Sequence, residues 1–141
     1  MNYQRYFALL IVAILSTPAQ AECFRLNRNS CWDITNRSLS DIVISCRDDH
    51  TDLFGERVIY SGATVEQQFP EGYNEGRGAF GADFPIRCKI EFEDGAIMPI
   101  RFLMVGSGDR VEIRVDEQGA DVTVRSYWTR GLGRSYSFKR K

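Results

Sequence analysis

Phe84-Pro85-Ile86-Arg87-Cys88-Lys89-Ile90-Glu91-Phe92-Glu93, followed by Asp94-Gly95, decides the fold class. Apolar and polar residues alternate through the whole stretch. A period of two means a strand with one buried face and one wet face. Pro85 cannot donate to a sheet ladder, which predicts an edge or entry position. Asp94-Gly95 supplies a hairpin turn, because glycine accepts positive φ. The next strand, Ile97 to Val105, carries Met98, Ile100, Phe102 and Met104 on one face.

The same reading extends in both directions. Gly106-Ser107-Gly108-Asp109 is a turn, Arg110 to Asp116 alternates, Gln118-Gly119 turns again, and Asp121 to Tyr127 follows. These four strands read as an antiparallel meander. Upstream, Cys31–Asn36, Asp41–Arg47, Arg57–Ser61 and Thr64–Phe69 are strand candidates, with a turn at Ser61-Gly62. No window has helical period with caps. The expectation is an all-β domain, a small antiparallel β-sandwich of about eight strands.

A length of 141 residues fits one domain. Residues 1–21 have the layout of a secretory signal peptide. Arg5 precedes the apolar run Tyr6–Leu15, and Ala19-Gln20-Ala21 has the small-x-small form of a cleavage site. The run is too short to span a bilayer of about 30 Å. The expected product is residues 22–141, secreted or periplasmic, without a transmembrane segment. In an oxidising compartment four cysteines read as two disulfides. Three pairings are open. Cys46 and Cys88 each sit mid-strand on an apolar face and could meet across a sandwich core, which favours Cys46–Cys88 with Cys23–Cys31.

Charge is segregated. Residues 22–124 hold eleven bases and nineteen acids, a balance of −8, whereas 125–141 hold six bases and no acid. That C-terminal segment interleaves Tyr127, Trp128, Tyr136 and Phe138 with Arg130, Arg134, Lys139, Arg140 and Lys141. Arginine forks bind phosphate or carboxylate, and neighbouring aromatics can stack or enter an interface. The segment is therefore a candidate binding element, although a last strand with Tyr136 and Phe138 in the core, or a tail that covers the acidic body of its own domain, fits the same residues. Its candidate contacts are Tyr127, Trp128, Arg130, Arg134, Lys139, Arg140 and Lys141. The loops at 48–56 and 70–83 are the other candidates, the latter through Tyr73, Arg77 and Phe80. Gly76-Arg77-Gly78-Ala79-Phe80-Gly81 matches a dinucleotide fingerprint in letters only, since no βαβ frame surrounds it.

Asp48, Asp49 and Asp52, beside His50, are the one dense group of possible metal ligands, of a type suited to Ca²⁺. The turn-capping reading of these aspartates is preferred, and no cofactor is expected. His50 is the single histidine, and no serine lies in a G-x-S-x-G elbow, so enzyme chemistry has little support. The expected function is non-catalytic binding of a receptor protein or an anionic surface component. Nucleic acid is disfavoured by export and by the acidic body. The alternatives are an inhibitor of a secreted or host enzyme and a small acid-dependent hydrolase.

Between about residues 32 and 105 the chain resembles the plant self-incompatibility S1 family of small secreted proteins. The first part of the resemblance is Ile34, Asn36 and Leu39. The second is Ile44, Cys46, Asp48, Asp49, Asp52 and Leu53, with Gly55 displaced by the inserted Phe54. Gly62, Phe69, Cys88 and Phe92 continue it. Ser45 stands where that family often has His, Ile86 and Ile90 replace aromatics, and the remaining cysteines lie N-terminal rather than C-terminal. The resemblance implies an antiparallel β-sandwich with Cys46 bridged to Cys88. It also implies a secreted ligand that binds a receptor without catalytic residues.

Overall fold

The computed structural model describes residues 30–48, 52–69, 84–104, 109–125 and 133–141. Nine strands follow one another there: β1 (Ser30–Asn36), β2 (Ile42–Arg47), β3 (Asp52–Ile59), β4 (Thr64–Phe69), β5 (Phe84–Phe92), β6 (Ile97–Met104), β7 (Arg110–Val115), β8 (Gly119–Arg125) and β9 (Gly133–Lys139). They form two sheets, ordered β4-β1-β7-β8-β9 and β3-β2-β5-β6. The all-β expectation holds among the described residues. The purely antiparallel expectation does not, because β1 and β7 run parallel with Cys31 opposite Arg110 and Asn36 opposite Val115.

Alternation places one face of every strand inward. Residues of both sheets join a single apolar core that includes Trp32, Ile34, Ile90, Phe102, Ile113 and Val122. Trp32 is fully buried; its Nε1 donates to Ser30 Oγ at 3.2 Å, and its ring lies 5.5 Å from that of Phe102. The sheet edges are tied by side chains. Arg57 Nη1 on β3 donates to Gln67 Oε1 on β4 at 2.5 Å. At the other end, Leu103 N–H on β6 donates to Tyr136 Oη on β9 at 3.4 Å. Occupying an edge donor in this way reduces its capacity to pair with another chain.

Four further expectations are corrected. The predicted four-strand meander splits: β5–β6 is one hairpin, β7–β8 is another in the other sheet, and the chain changes sheets after β6. Alternation shows which face is wet but is silent about which sheet a strand joins. Secondly, Pro85 lies in a strand with neighbours on both sides. Phe92 N–H donates to Ala96 O at 2.9 Å, which fixes the ladder alternation and makes Pro85–Leu103 a non-hydrogen-bonded pair. On the other side the β2–β5 pairing ends at Arg47–Arg87, so the missing N–H interrupts no rung. Thirdly, residues 52–56 belong to β3 rather than to a loop, since β2 returns through an irregular register that sets Arg47 opposite Asp52.

The fourth correction concerns the disulfide. Cys46–Cys88 is present, with a Cα separation of 4.1 Å. It does not cross the core from sheet to sheet. Cys46 and Cys88 are direct register partners on adjacent β2 and β5, both facing inward. Cys23 lies outside the described residues.

The C-terminal alternatives resolve into a strand over 133–139. β9 pairs with β8, sets Tyr136 and Phe138 against the core, and leaves Ser135, Ser137 and Lys139 outward. Its pairing with β8 demands a glycine at 119. A Cβ there would stand 1.9 Å from the carbonyl oxygen of Phe138, which is backbone and cannot swing aside. Gly119→Ala is expected to lower stability by about 2 kcal/mol through this overpacking. Amide exchange should then accelerate first in Ser137–Lys139; an unchanged exchange pattern would contradict the contact.

Candidate functional site

The structure assembles two charged regions. One is a cavity of about 250 Å³ at the end of the molecule where β5 turns into β6, lined by Ser38, Ser40, Phe92, Asp94, Glu117 and Arg140, with Glu93 beside them. Its shape follows from local rules. Gly95 takes φ +82°, and Asp94 Oδ1 accepts from Ala96 N–H at 3.1 Å, closing the turn. Glu117, in the β7–β8 turn, accepts from Leu39 N–H at 2.5 Å and fastens the β1–β2 crossover alongside. Arg140 N–H donates to Gln118 O at 2.7 Å, which directs its side chain over this end. The guanidinium pairs with Asp94 and stands 4.3 Å above the Phe92 ring.

The Ala96 N–H, and then the Arg140 guanidinium, hold the Asp94 carboxyl below its ordinary 3.8. Asp94 is thus an anion near neutral pH and has the wrong ionisation for a general acid. The sign of the linkage follows. Its contribution to stability is present above pH 3.8 and is lost as pH falls through the lowered value. Arg140→Gln is expected to move this titration back upward, though not wholly, since the Ala96 contact remains. Carbon-13 shifts of the Asp94 carboxyl against pH measure it directly; an unmoved midpoint would separate Arg140 from the carboxylate.

The second region is the outer face of the four-stranded sheet. Register places Arg47 opposite Arg87 and Arg87 opposite Arg101, so three arginines stand in one row across β2, β5 and β6. Arg47 and Arg101 are exposed and form no ion pair among the described residues. Asp52 lies at the β3 end of the row, and Lys89 on the same face pairs with Glu91 at 3.7 Å. The outer face of the five-stranded sheet is different, because its charges neutralise one another. Arg110 bonds Asp33, which raises the arginine's affinity for its proton, and Arg114 bonds Glu112 at 3.1 Å.

The candidates read from sequence fare unevenly. Tyr73, Arg77, Phe80, Tyr127, Trp128, Arg130 and Asp49 lie outside the described residues, as does His50. Arg134 sits half-buried on the inward side of β9, opposite Val124. Arg140 is engaged with Asp94, while Lys139 and Lys141 are exposed. Asp48 is buried and Asp52 is exposed opposite Arg47, so these two carboxylates occupy different environments. Among the described residues no three His, Cys, Asp or Glu side chains group as metal ligands would. Sequence reasoning missed the arginine row. Each member stood at an ordinary wet position of its strand, and only cross-strand register brings them together.

No family model, curated protein or solved structure matches the chain. Among the described residues no helix is long and apolar enough to cross a membrane. A buried disulfide is characteristic of an oxidising environment such as the cell exterior.

Proposed function

We propose that the protein is a secreted, non-catalytic binding module that recognises an anionic partner. In this reading residues 1–21 are removed on export, the two sheets form a β-sandwich, and a second bridge joins Cys23 to Cys31. The resemblance to the S1 family supports the same picture of a secreted ligand that acts by binding. The observation that carries it is the row Arg47, Arg87 and Arg101. Arg47 and Arg101 flank Arg87 on that row and are exposed with no ion pair among the described residues; like charges directly opposite destabilise a sheet, a cost that an anionic partner on Arg47 and Arg101 would reduce. Lys139 and Lys141 at the chain end supply further exposed positive charge.

The test is retention of residues 22–141 on immobilised heparin, used as a generic polyanion. The expected result is retention at low ionic strength and release by salt, despite an overall negative balance, because segregated charge acts locally within a Debye length of about 10 Å at 0.1 M salt. Passage in the void volume at low salt would refute the reading. The contribution of the C-terminus is assessed with Lys139→Gln/Lys141→Gln. A chain ending at Val124 is unsuitable, because it lacks β9 and uncovers the core that Tyr136 and Phe138 pack against.

A further inference from the structure

We infer that the outer face of the four-stranded sheet docks flat on an anionic phospholipid surface. This rests on the reading of the protein as a binder of anionic partners and names one. The ladder alternation makes Arg87–Arg101 a non-hydrogen-bonded pair and Arg47–Arg87 a hydrogen-bonded one. Their Cα atoms are then about 4.5 and 5.5 Å apart, so three guanidinium stems rise from a line of about 10 Å. Guanidinium forks match phosphate oxygens two at a time.

What surrounds the row selects the kind of anion. Leu103 lies two residues beyond Arg101 on the same face and is 36% exposed; Ile97 and Val58, at the far end of the face, are 57% and 51% exposed. Exposed Pro99 stands between Ile97 and Arg101. Aliphatic side chains beside cationic ones suit a bilayer interface, where the apolar groups enter below the phosphates. Single-stranded nucleic acid would call for aromatic platforms on which bases stack. Among the described side chains Tyr60 is the one exposed aromatic, and it lies just past the end of β3. The cavity near Asp94 lies about 20 Å from Arg87 by strand rise along β5 and takes no part in the proposed contact. Glu91 is paired to Lys89, and Asp52 and the exposed Glu56 stand on β3, across β2 and β5 from β6, which leaves Arg101 and Leu103 on β6 as the leading contacts.

The experiment is flotation of residues 22–141, which hold every described element, with vesicles of phosphatidylcholine or of phosphatidylcholine mixed with phosphatidylglycerol. Residues 1–21 are left out because their apolar run would itself enter a bilayer. Capture by the mixed vesicles alone is expected, weakening with salt. Arg47→Gln/Arg101→Gln should lower the affinity about 30-fold, taking about 1 kcal/mol for each arginine at an anionic surface. Arg47→Lys/Arg101→Lys should retain most of it. Arg114→Gln should leave it unchanged, since Arg114 lies on the outer face of the other sheet, paired with Glu112. Ile97→Ser/Leu103→Ser should reduce the capture that survives high salt. Thermal melts confirm that each variant is folded. Failure of the parent to float, equal flotation of the Arg47→Gln/Arg101→Gln and parent proteins, or loss confined to the Arg114→Gln variant would overturn the inference. Heparin retention without vesicle capture would remove the lipid assignment and leave the broader function standing.

Discussion

Cys46→Ala/Cys88→Ala is expected to destabilise the protein by about 4 kcal/mol. The two cysteines are 42 positions apart, so the bond closes a long loop in the unfolded chain. Chain-entropy reasoning for a loop of that size gives about 4 kcal/mol at 25 °C. Against a total stability of about 5–15 kcal/mol for an ordinary domain this is a large share. The bond also joins strands that already neighbour each other in register, so the native state needs no rearrangement to hold it. Urea denaturation of the oxidised, reduced and double-Ala forms measures the effect. The reduced form should lose most of the stability, and the double-Ala form somewhat more, because truncation also empties part of the core around two buried side chains. A loss below about 1 kcal/mol would mean that the unfolded chain keeps β2 and β5 together without the bond.

Asn36→Ala should cost about 3 kcal/mol, although it removes no apolar surface. Asn36 is fully buried where the chain leaves β1 for β2. Its Nδ2 donates to Ser40 O at 2.8 Å and to Ile59 O at 3.0 Å. Its Oδ1 accepts from Ser38 N–H at 2.9 Å and from Ser38 Oγ at 2.6 Å. One amide therefore joins the crossover to the end of β3. The backbone of the same residue donates to Ala63 O and accepts from Gly62 N–H, at the turn between β3 and β4. Alanine strands the buried Ser38 amide, which costs about 1–3 kcal/mol when left without a partner, and removes the side-chain bonds to the Ser40 and Ile59 carbonyls. Asn36→Asp should be at least as harmful at neutral pH, because a carboxylate would face two carbonyl oxygens. Its folded-state pKa would be raised, so part of the lost stability should return as pH falls. Thermal and urea unfolding at pH 7 and at mildly acidic pH provide the comparison. Near-parental stability of the alanine variant would mean that water or a local shift replaces the amide.

Asn36 also shows how far the sequence could be read. The strands around Ile86–Phe92, Ile97–Met104 and Arg110–Val115 were legible because alternation is a local property of each strand. The Asp94-Gly95 turn was legible because positive φ selects glycine. The pairing of Cys46 with Cys88 was anticipated, but from a supposed meeting across the core; the two residues meet along one sheet instead. Nothing local in Met104 or Arg110 tells that the chain changes sheets between them. The polar network of Asn36 was invisible as well, since Ile59 and Ser40 come to it through tertiary packing. The arginine row was hidden for the same reason, because register is decided between strands and not within them.

The parallel pairing of β1 with β7 carries a kinetic consequence. The first strand sits between β4 and β7, and its second neighbour ends at Val115. A chain emerging N-terminus first must therefore hold Trp32 and Ile34 without that flank until Val115, with 26 of the 141 residues still to come, has been delivered. Pairings between residues so far apart close slowly, in the millisecond-to-second range typical of all-β topologies. The nascent chain stays uncommitted until late, a state compatible with threading through a narrow channel before the final, all-or-none collapse.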